Sequence, residues 1–262
     1  MNKKLIYSFL AVSLSLSLGA CSKITSASHH TNEEVHWSYE EEAGPEHWGE
    51  LKQANSACIN GSEQSPIHID VSQVKTDRHL DNIQIQYESA PFTLVNNGHT
   101  IQANARAKSS SIFIEGHQYK LVQFHFHTPS EHQLNGKSYA MELHLVHKDE
   151  NGKIAVLGVM IQEGKENQQL ASIWDVLPKK ETVKDISLNE QVDLQRLLPQ
   201  EKTAFHYNGS LTTPPCTEKV KWYIFEQSIE MSKKQIQAFQ QIFPDNHRPV
   251  QPLNKRNVLK LG

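Results

Sequence analysis

Gln123-Phe-His-Phe-His-Thr-Pro-Ser-Glu-His132, then a turn signal at Asn135-Gly136, then Tyr139-Ala-Met-Glu-Leu-His-Leu-Val-His147: the fold is decided here. In a β-strand alternate side chains share a face, so His125 and His127 point one way and Phe124 and Phe126 the other. Asn-Gly reverses the chain into a second strand, where Glu142, His144 and Val146 share one face and Leu143 and Leu145 the opposite one. His144 can then meet the first two imidazoles, whereas His147 has the wrong parity and belongs to the other face. Histidine is frequent, 15 of 262 residues, so a lone one carries little weight. An alternating pair facing a third across two strands is far more specific. Three neutral imidazoles make a rigid cradle that leaves tetrahedral Zn²⁺ one open position, and no cysteine lies nearby to close it, which is the pattern of a catalytic zinc site.

Outward from this pair the chain reads mainly as strands: 83–87, 92–95, 99–103, 111–115, 119–127, 138–147, 154–161 and 220–226. Alternation and β-branched content carry these assignments, with Asn-Gly and Pro between them. Two helices are expected. Leu170, Ile173, Trp174 and Leu177 follow helical spacing up to Pro178, and Ser232 with Gln235 forms a capping box ahead of Ile236, Phe239 and Phe243, stopped by Pro244. The fold class is mainly β (α+β): a single domain over 35–262 on one large sheet with short peripheral helices.

Met-Asn-Lys-Lys followed by an apolar run from Leu5 to Ala20 is too short for the ~20 residues that span a bilayer, and reads as a signal peptide over 1–20. Leu18-Gly-Ala-Cys21 also fits a lipobox, with Cys21 as a lipidated first residue; ordinary cleavage near Ala20 is the alternative. Residues 21–34 are Ser/Thr/His/Glu-rich and read as a polar tether. A net charge of −3 without a basic run argues against nucleic acid as partner. Of three cysteines, Cys58 and Cys216 remain as an even pair in an oxidising compartment, a disulfide in the simple reading and two buried thiols in the other.

Several ordered blocks carry a resemblance: Gly44-Pro-Glu-His-Trp48, Gln64-Ser-Pro-Ile67, Asn96-Asn-Gly-His99, the two histidine strands, Gly209-Ser-Leu-Thr-Thr-Pro-Pro215 and Arg248-Pro-Val-Gln-Pro252. From about Trp37 to Arg256 the chain resembles an alpha-class carbonic anhydrase of the bacterial exported type. The resemblance implies a twisted, mostly antiparallel sheet and a zinc-bound hydroxide that converts CO₂ to bicarbonate and a proton. It implies His125, His127 and His144 as zinc ligands, Gln123 orienting His125, and Glu142 orienting His144. Thr212 with Glu131 would aim the hydroxide, Thr213 would contact bicarbonate, and Val146, Val156, Leu211 and Trp222 would wall the CO₂ pocket. His99 would shuttle protons, with Asn97 and Tyr39 holding the intervening waters. Sulfonamides and anions are the implied inhibitors. The signal peptide points to the periplasm, and Ser22 after Cys21, in place of Asp, resembles lipoproteins sorted to the outer membrane.

Two other readings compete. A related domain that has lost catalysis and serves binding typically lacks a zinc histidine, and here all three stand. A different zinc hydrolase, such as an esterase, shares the metal chemistry, but no acyl pocket or leaving-group acid is visible. His68, His79, His117, His132 and His206 have no assigned chemistry.

Overall fold

A computed structural model describes residues 36–77 and 83–261. The expected signal peptide, the tether and Cys21 lie outside these residues. The main sheet has thirteen strands. In chain order they are β1 (Lys75–Asp77), β2 (Gln84–Gln86), β3 (Phe92–Asn96), β4 (Ile101–Ala105), β5 (Ser111–Ile114), β6 (His117–His127), β7 (Met141–Lys148), β8 (Ile154–Glu163), β9 (Ile186–Ser187), β10 (Ala204–Ser210), β11 (Glu218–Phe225), β12 (Ile229–Met231) and β13 (Leu259–Leu261). The spatial order is β9-β3-β4-β6-β7-β8-β11-β10-β13-β1, with β12 on β8, β5 on β6 and β2 on β5. Most pairs are antiparallel; β8 with β11, β8 with β12, and β13 with β1 are parallel.

The two histidine strands form the centre. β6 and β7 run antiparallel with His125 directly opposite His144. Along β6 the buried apolar positions change phase, from Tyr119 and Leu121 to Phe124 and Phe126. The cause is a bulge at Val122, where the register shifts between Leu121 and Gln123. An extra residue in one strand re-aims all that follow, and it turns His125 and His127 away from the core side. β8 is apolar on both faces, as befits a strand buried in mid-sheet, and only Gly158 interrupts it.

Each face has its own core. Phe92, Leu94, Phe124, Phe126, Leu143, Leu145, Leu157 and Val159 pack on one side. The helix α1 (Lys233–Gln240) covers them with Ile236 and Phe239, its start fixed by the expected Ser232–Gln235 capping box. On the other side Ile67, Ile69, Val146, Val156, Tyr207, Trp222 and Ile224 form a second cluster. The imidazoles at 125, 127 and 144 lie on this side.

Four expectations differ from the structure. The second histidine strand begins at Met141 rather than residue 138, because residues 128–140 form their own loop, tied by Ser130 N–H to Tyr139 O and Tyr139 N–H to Ser130 Oγ. The Asn135-Gly136 turn has both φ positive, as its sequence requires, but closes only a local bridge between Leu134 and Lys137. The strand expected at 99–103 begins at Ile101, because Asn97 Oδ1 accepts from the His99 and Thr100 N–H groups and holds residues 97–100 as a turn. The helix expected over 170–177 is shorter: a 3₁₀ turn, Gln168–Leu170, and one α turn, Ala171–Trp174. One turn suffices to seat Leu170, Ile173 and Trp174 against the sheet.

His147 lies on the opposite face from His144, fully buried. Its Nε2 accepts from Tyr87 OH at 2.7 Å, and Nδ1–H donates to Ala155 O at 3.3 Å. Burial pushes its pKa from 6.5 down to about 3. Between those values the unfolded chain holds a proton that the folded chain does not, so stability is complete above pH 6.5 and falls as pH drops. The slope is about 1.4 kcal/mol per pH unit for this residue. In metal-free protein, His147→Gln is expected to flatten the fall in unfolding free energy between pH 6.5 and pH 5 by that slope; denaturant titrations with parallel curves for both proteins would refute the assignment.

Candidate functional site

The pairing of β6 with β7 brings three rings together. Ring centroids are 5.0 Å apart for His125 and His127, 5.3 Å for His125 and His144, and 4.7 Å for His127 and His144. One nitrogen of each lies within 4.8 Å of the others.

The remaining nitrogens are held by groups that can only accept. His125 Nδ1–H donates to Gln123 Oε1 at 2.8 Å, and His127 Nδ1–H to the Asn246 carbonyl at 2.7 Å. His144 uses its other nitrogen, Nε2–H, which donates to Glu142 Oε1 at 2.9 Å. These bonds fix the tautomers. They leave three lone pairs, on His125 Nε2, His127 Nε2 and His144 Nδ1. All three rings stay unprotonated because their pKa values fall: burial lowers each, and for His125 the neighbouring imidazoles add to it. His127 falls to about 4.

These donors fit a metal ion. Among the described residues, His127 Nε2 and Glu131 Oε2 are buried without any hydrogen-bond partner, and they stand 3.5 Å apart. A buried polar atom left so costs about 1–3 kcal/mol. Three neutral nitrogen donors without a thiolate suit zinc with an open position. A second group, His132, Glu142 and His144, also gathers ligating atoms. There, however, the atoms are consumed by hydrogen bonds to one another at 2.8 and 2.9 Å.

Two buried carboxylates flank the rings, with opposite outcomes. Burial raises the pKa of Glu131, and His144, Thr212 and the Arg248 N–H only partly offset it. The Thr212 hydroxyl is near enough to lower the carboxyl but does not reach the orphaned Oε2. Burial would raise Glu142 as well, but His132 and His144 prevail and hold it well below the usual carboxylate range.

A cavity of about 260 Å³ opens beside His125 and His144. Val146, Val156, Leu211, Thr212, Thr213 and Trp222, the residues expected at the pocket, all line it, and so do Val122 and Ile154, which were not expected. Trp222 is oriented by its indole N–H, which donates to Ser210 O at 2.9 Å. The Thr212–Thr213 segment is braced from behind. Cys58 and Cys216 form a disulfide with Cα atoms 5.0 Å apart, and Cys216 N–H donates to Thr213 O. Closing a loop of 158 residues places this bridge at the upper end of the ~2–5 kcal/mol that such links contribute.

The remaining expected residues are more dispersed. His99 is half-buried and stacks on Trp37, centroids 3.6 Å apart and planes 12° apart. Burial lowers its pKa. Asn97, exposed, is committed through its oxygen to the turn that ends in His99 and Thr100. Tyr39 packs edge-on to Trp37 and Trp48, its phenol pushed well up by burial and then by Glu131.

Three residues escaped the sequence reading. Asn246 donates from its amide to His99 O and Phe126 O while its main-chain carbonyl orients His127. His132 donates to Glu142 from both Nδ1 and its backbone N–H. Arg248, almost fully buried, binds Gln64 Oε1, Ser65 O and Cys58 O, and its N–H donates to Glu131 Oε1. Arg248 lies in a quoted block, but its spacing gave no hint of this role.

A family model described as eukaryotic-type carbonic anhydrase matches residues 43–261. A carbonic anhydrase of Klebsiella pneumoniae is 46% identical over 229 residues, covering 86% of this chain and 91% of that protein. One from Nostoc is 43% identical over 230 residues, covering 86% of each. Among solved structures, the alpha-carbonic anhydrase of Thermovibrio ammonificans in complex with the inhibitor sulfanilamide superposes with a TM-score of 0.83 at 43% identity, over 86% of this chain and 99% of that one.

Proposed function

The chain belongs to the eukaryotic-type carbonic anhydrase family, and from that premise we propose that it interconverts CO₂ and bicarbonate with Zn²⁺ held by His125, His127 and His144. The observation that carries this reading is the set of three imidazole lone pairs, each fixed by a hydrogen bond behind it, beside a small apolar cavity. Bound there, the ion would act as a Lewis acid that makes hydroxide available near neutral pH; the figures of ~7 against ~15.7 for bulk water belong to carbonic anhydrase as a family and are not values for this chain.

The protein's own groups supply position and proton traffic. Val146, Val156, Leu211 and Trp222 offer CO₂ an apolar wall, which suits a small uncharged substrate better than donors would. Thr212, by donating its hydroxyl proton to Glu131, presents lone pairs to the cavity and admits groups that carry a proton. That filter favours a hydroxylic nucleophile and, in the reverse direction, bicarbonate, which Thr213 would contact. A sulfonamide nitrogen bearing one proton would pass it too, in keeping with the sulfanilamide complex of the Thermovibrio relative. His99, an imidazole whose pKa burial lowers and which rests on Trp37, is the group proposed to carry the released proton outward, past Tyr39 and Asn97.

Export belongs to the same proposal. The Cys58–Cys216 disulfide suits an oxidising compartment such as the periplasm, and Cys21 is the proposed lipid attachment. Cells labelled with palmitate are expected to yield a labelled product that Cys21→Ser abolishes; soluble product without acyl mass would contradict the anchor.

The catalytic reading is tested by a pair of variants in stopped-flow CO₂ hydration. His144→Ala is expected to lose most bound zinc and nearly all activity, since two imidazoles hold the ion far less tightly than three. His99→Ala is expected to keep kcat/KM and lose kcat, with recovery in added imidazole, because attack on CO₂ precedes proton release. Full activity with stoichiometric zinc in the first variant would refute the ligand set, and a defect confined to kcat/KM in the second would refute the shuttle.

A further inference from the structure

A buried polar chain continues beyond the groups used above. Oε1 of Glu142 accepts from His144 Nε2 and from His132 Nδ1, at 2.9 and 2.8 Å, and Oε2 accepts from the His132 backbone N–H at 2.8 Å. The far nitrogen of His132, Nε2, lies 2.6 Å from Tyr207 OH, and that hydroxyl lies 2.8 Å from Ser65 Oγ. Ser65 Oγ in turn accepts from the Ser210 backbone N–H at 3.0 Å. His132, Glu142, Tyr207 and Ser65 are all at most 1% exposed, so no solvent can substitute for a missing partner.

One arrangement of protons satisfies every group. Glu142 as a carboxylate can only accept, so His132 must carry its proton on Nδ1. Its Nε2 is then a lone pair that needs a donor, and Tyr207 OH is the donor within reach. The Tyr207 oxygen accepts in turn from Ser65 OH.

Strand glycines make the space for this chain. Gly158 pairs with His144 across β7 and β8, and a Cβ there would stand 3.0 Å from Glu142 Oε1 and 2.5 Å from Ile224 Cδ1. At Gly209 a Cβ would stand 2.1 Å from Ser65 Oγ and 2.7 Å from Tyr207 Cε2. Glycine weakens a strand interior, and here it marks close approach of the groups that carry the chain.

We propose that Tyr207 and Ser65 are positioning residues for the metal centre: the Tyr207 hydroxyl, backed by Ser65, satisfies His132 Nε2 and holds the ring so that its Nδ1–H stays on Glu142, which keeps the carboxylate aimed at His144 Nε2 and leaves His144 Nδ1 free to bind the ion. The inference rests on His144 being a ligand. Without that hydroxyl, His132 Nε2 is a buried lone pair with no donor, and the ring turns from its place and draws Nδ1–H off the carboxylate. Glu142 then loses one of its three donors and its fixed orientation. Groups that touch a ligand directly change metal affinity by 10- to 100-fold, so groups further out are expected to act at about three- to tenfold.

Tyr207→Phe in the full chain tests this, because it keeps the ring and its stacking near Trp222 while removing the hydroxyl. Two quantities are read: the hydrogen bonding of the two His132 ring nitrogens by ¹⁵N-histidine NMR in metal-free protein, and the rate at which zinc leaves the loaded protein into a chelator. The wild type is expected to show Nδ1–H bonded to Glu142 and Nε2 accepting a hydrogen bond, and the variant to show the ¹⁵N shift of a free Nε2 lone pair, a weakened Nδ1–H bond and a three- to tenfold faster loss of zinc. Ser65→Ala, which removes only the donor to Tyr207, is expected to move both in the same direction by less, and it serves if the first variant fails to fold. Unchanged hydrogen bonding at both His132 nitrogens, or a lower Tm with unchanged zinc loss, would reduce Tyr207 to packing and overturn the proposal. A wild type without stoichiometric zinc would instead refute the ligand assignment, and the NMR result would still decide the role of Tyr207.

Discussion

The direct antiparallel pairing of His125 with His144 is the constraint on which the rest of the molecule depends. A slip of one residue in that pairing would send one strand's histidines to the opposite face. Two features pin it. The bulge at Val122 sets the phase of the last part of β6, and Phe124, Phe126, Leu143 and Leu145 lock the reverse face beneath α1 and Trp174. The large sheet therefore acts as a jig: its core on one side determines where three rings stand on the other.

Holding those rings neutral and side by side is an electrostatic task as much as a steric one. Burial disfavours the imidazolium form, and each ring has one nitrogen committed to an oxygen that cannot donate. The two carboxylates are used differently. Glu142 receives three N–H donors and stays ionised, whereas Glu131 is raised by burial and keeps one oxygen without a partner. A carboxylate saturated with donors serves as a fixed anchor. Glu131, with Thr212 beside it, is the carboxylate proposed to sort what enters the cavity.

Much of the centre was legible in the sequence because strand parity is a strong rule: His125 and His127 together, His144 opposite them and His147 behind are all where period two puts them. The capping box at Ser232 and Gln235 was equally readable, since its chemistry is local. What escaped is non-local or carried by the main chain. Asn246 orients His127 with a backbone carbonyl, a group every residue type has. His132 sits in a loop with no period, and only the folded course of residues 128–140 brings it to the site. Strands β1, β12 and β13 span three residues each, too few for alternation to register. In β10 Phe205 and Tyr207 alternate, but Gly209 weakens the strand pattern; the glycine is there because Ser65 and Tyr207 need the space.

The proposed activity depends on one metal ion in the three-imidazole site. The most direct measurement is stopped-flow CO₂ hydration as zinc is titrated into metal-free protein. The rate is expected to rise in proportion to added zinc and to level off at one equivalent. A rate that ignores zinc, or protein that holds one equivalent without hydrating CO₂, would contradict the claim.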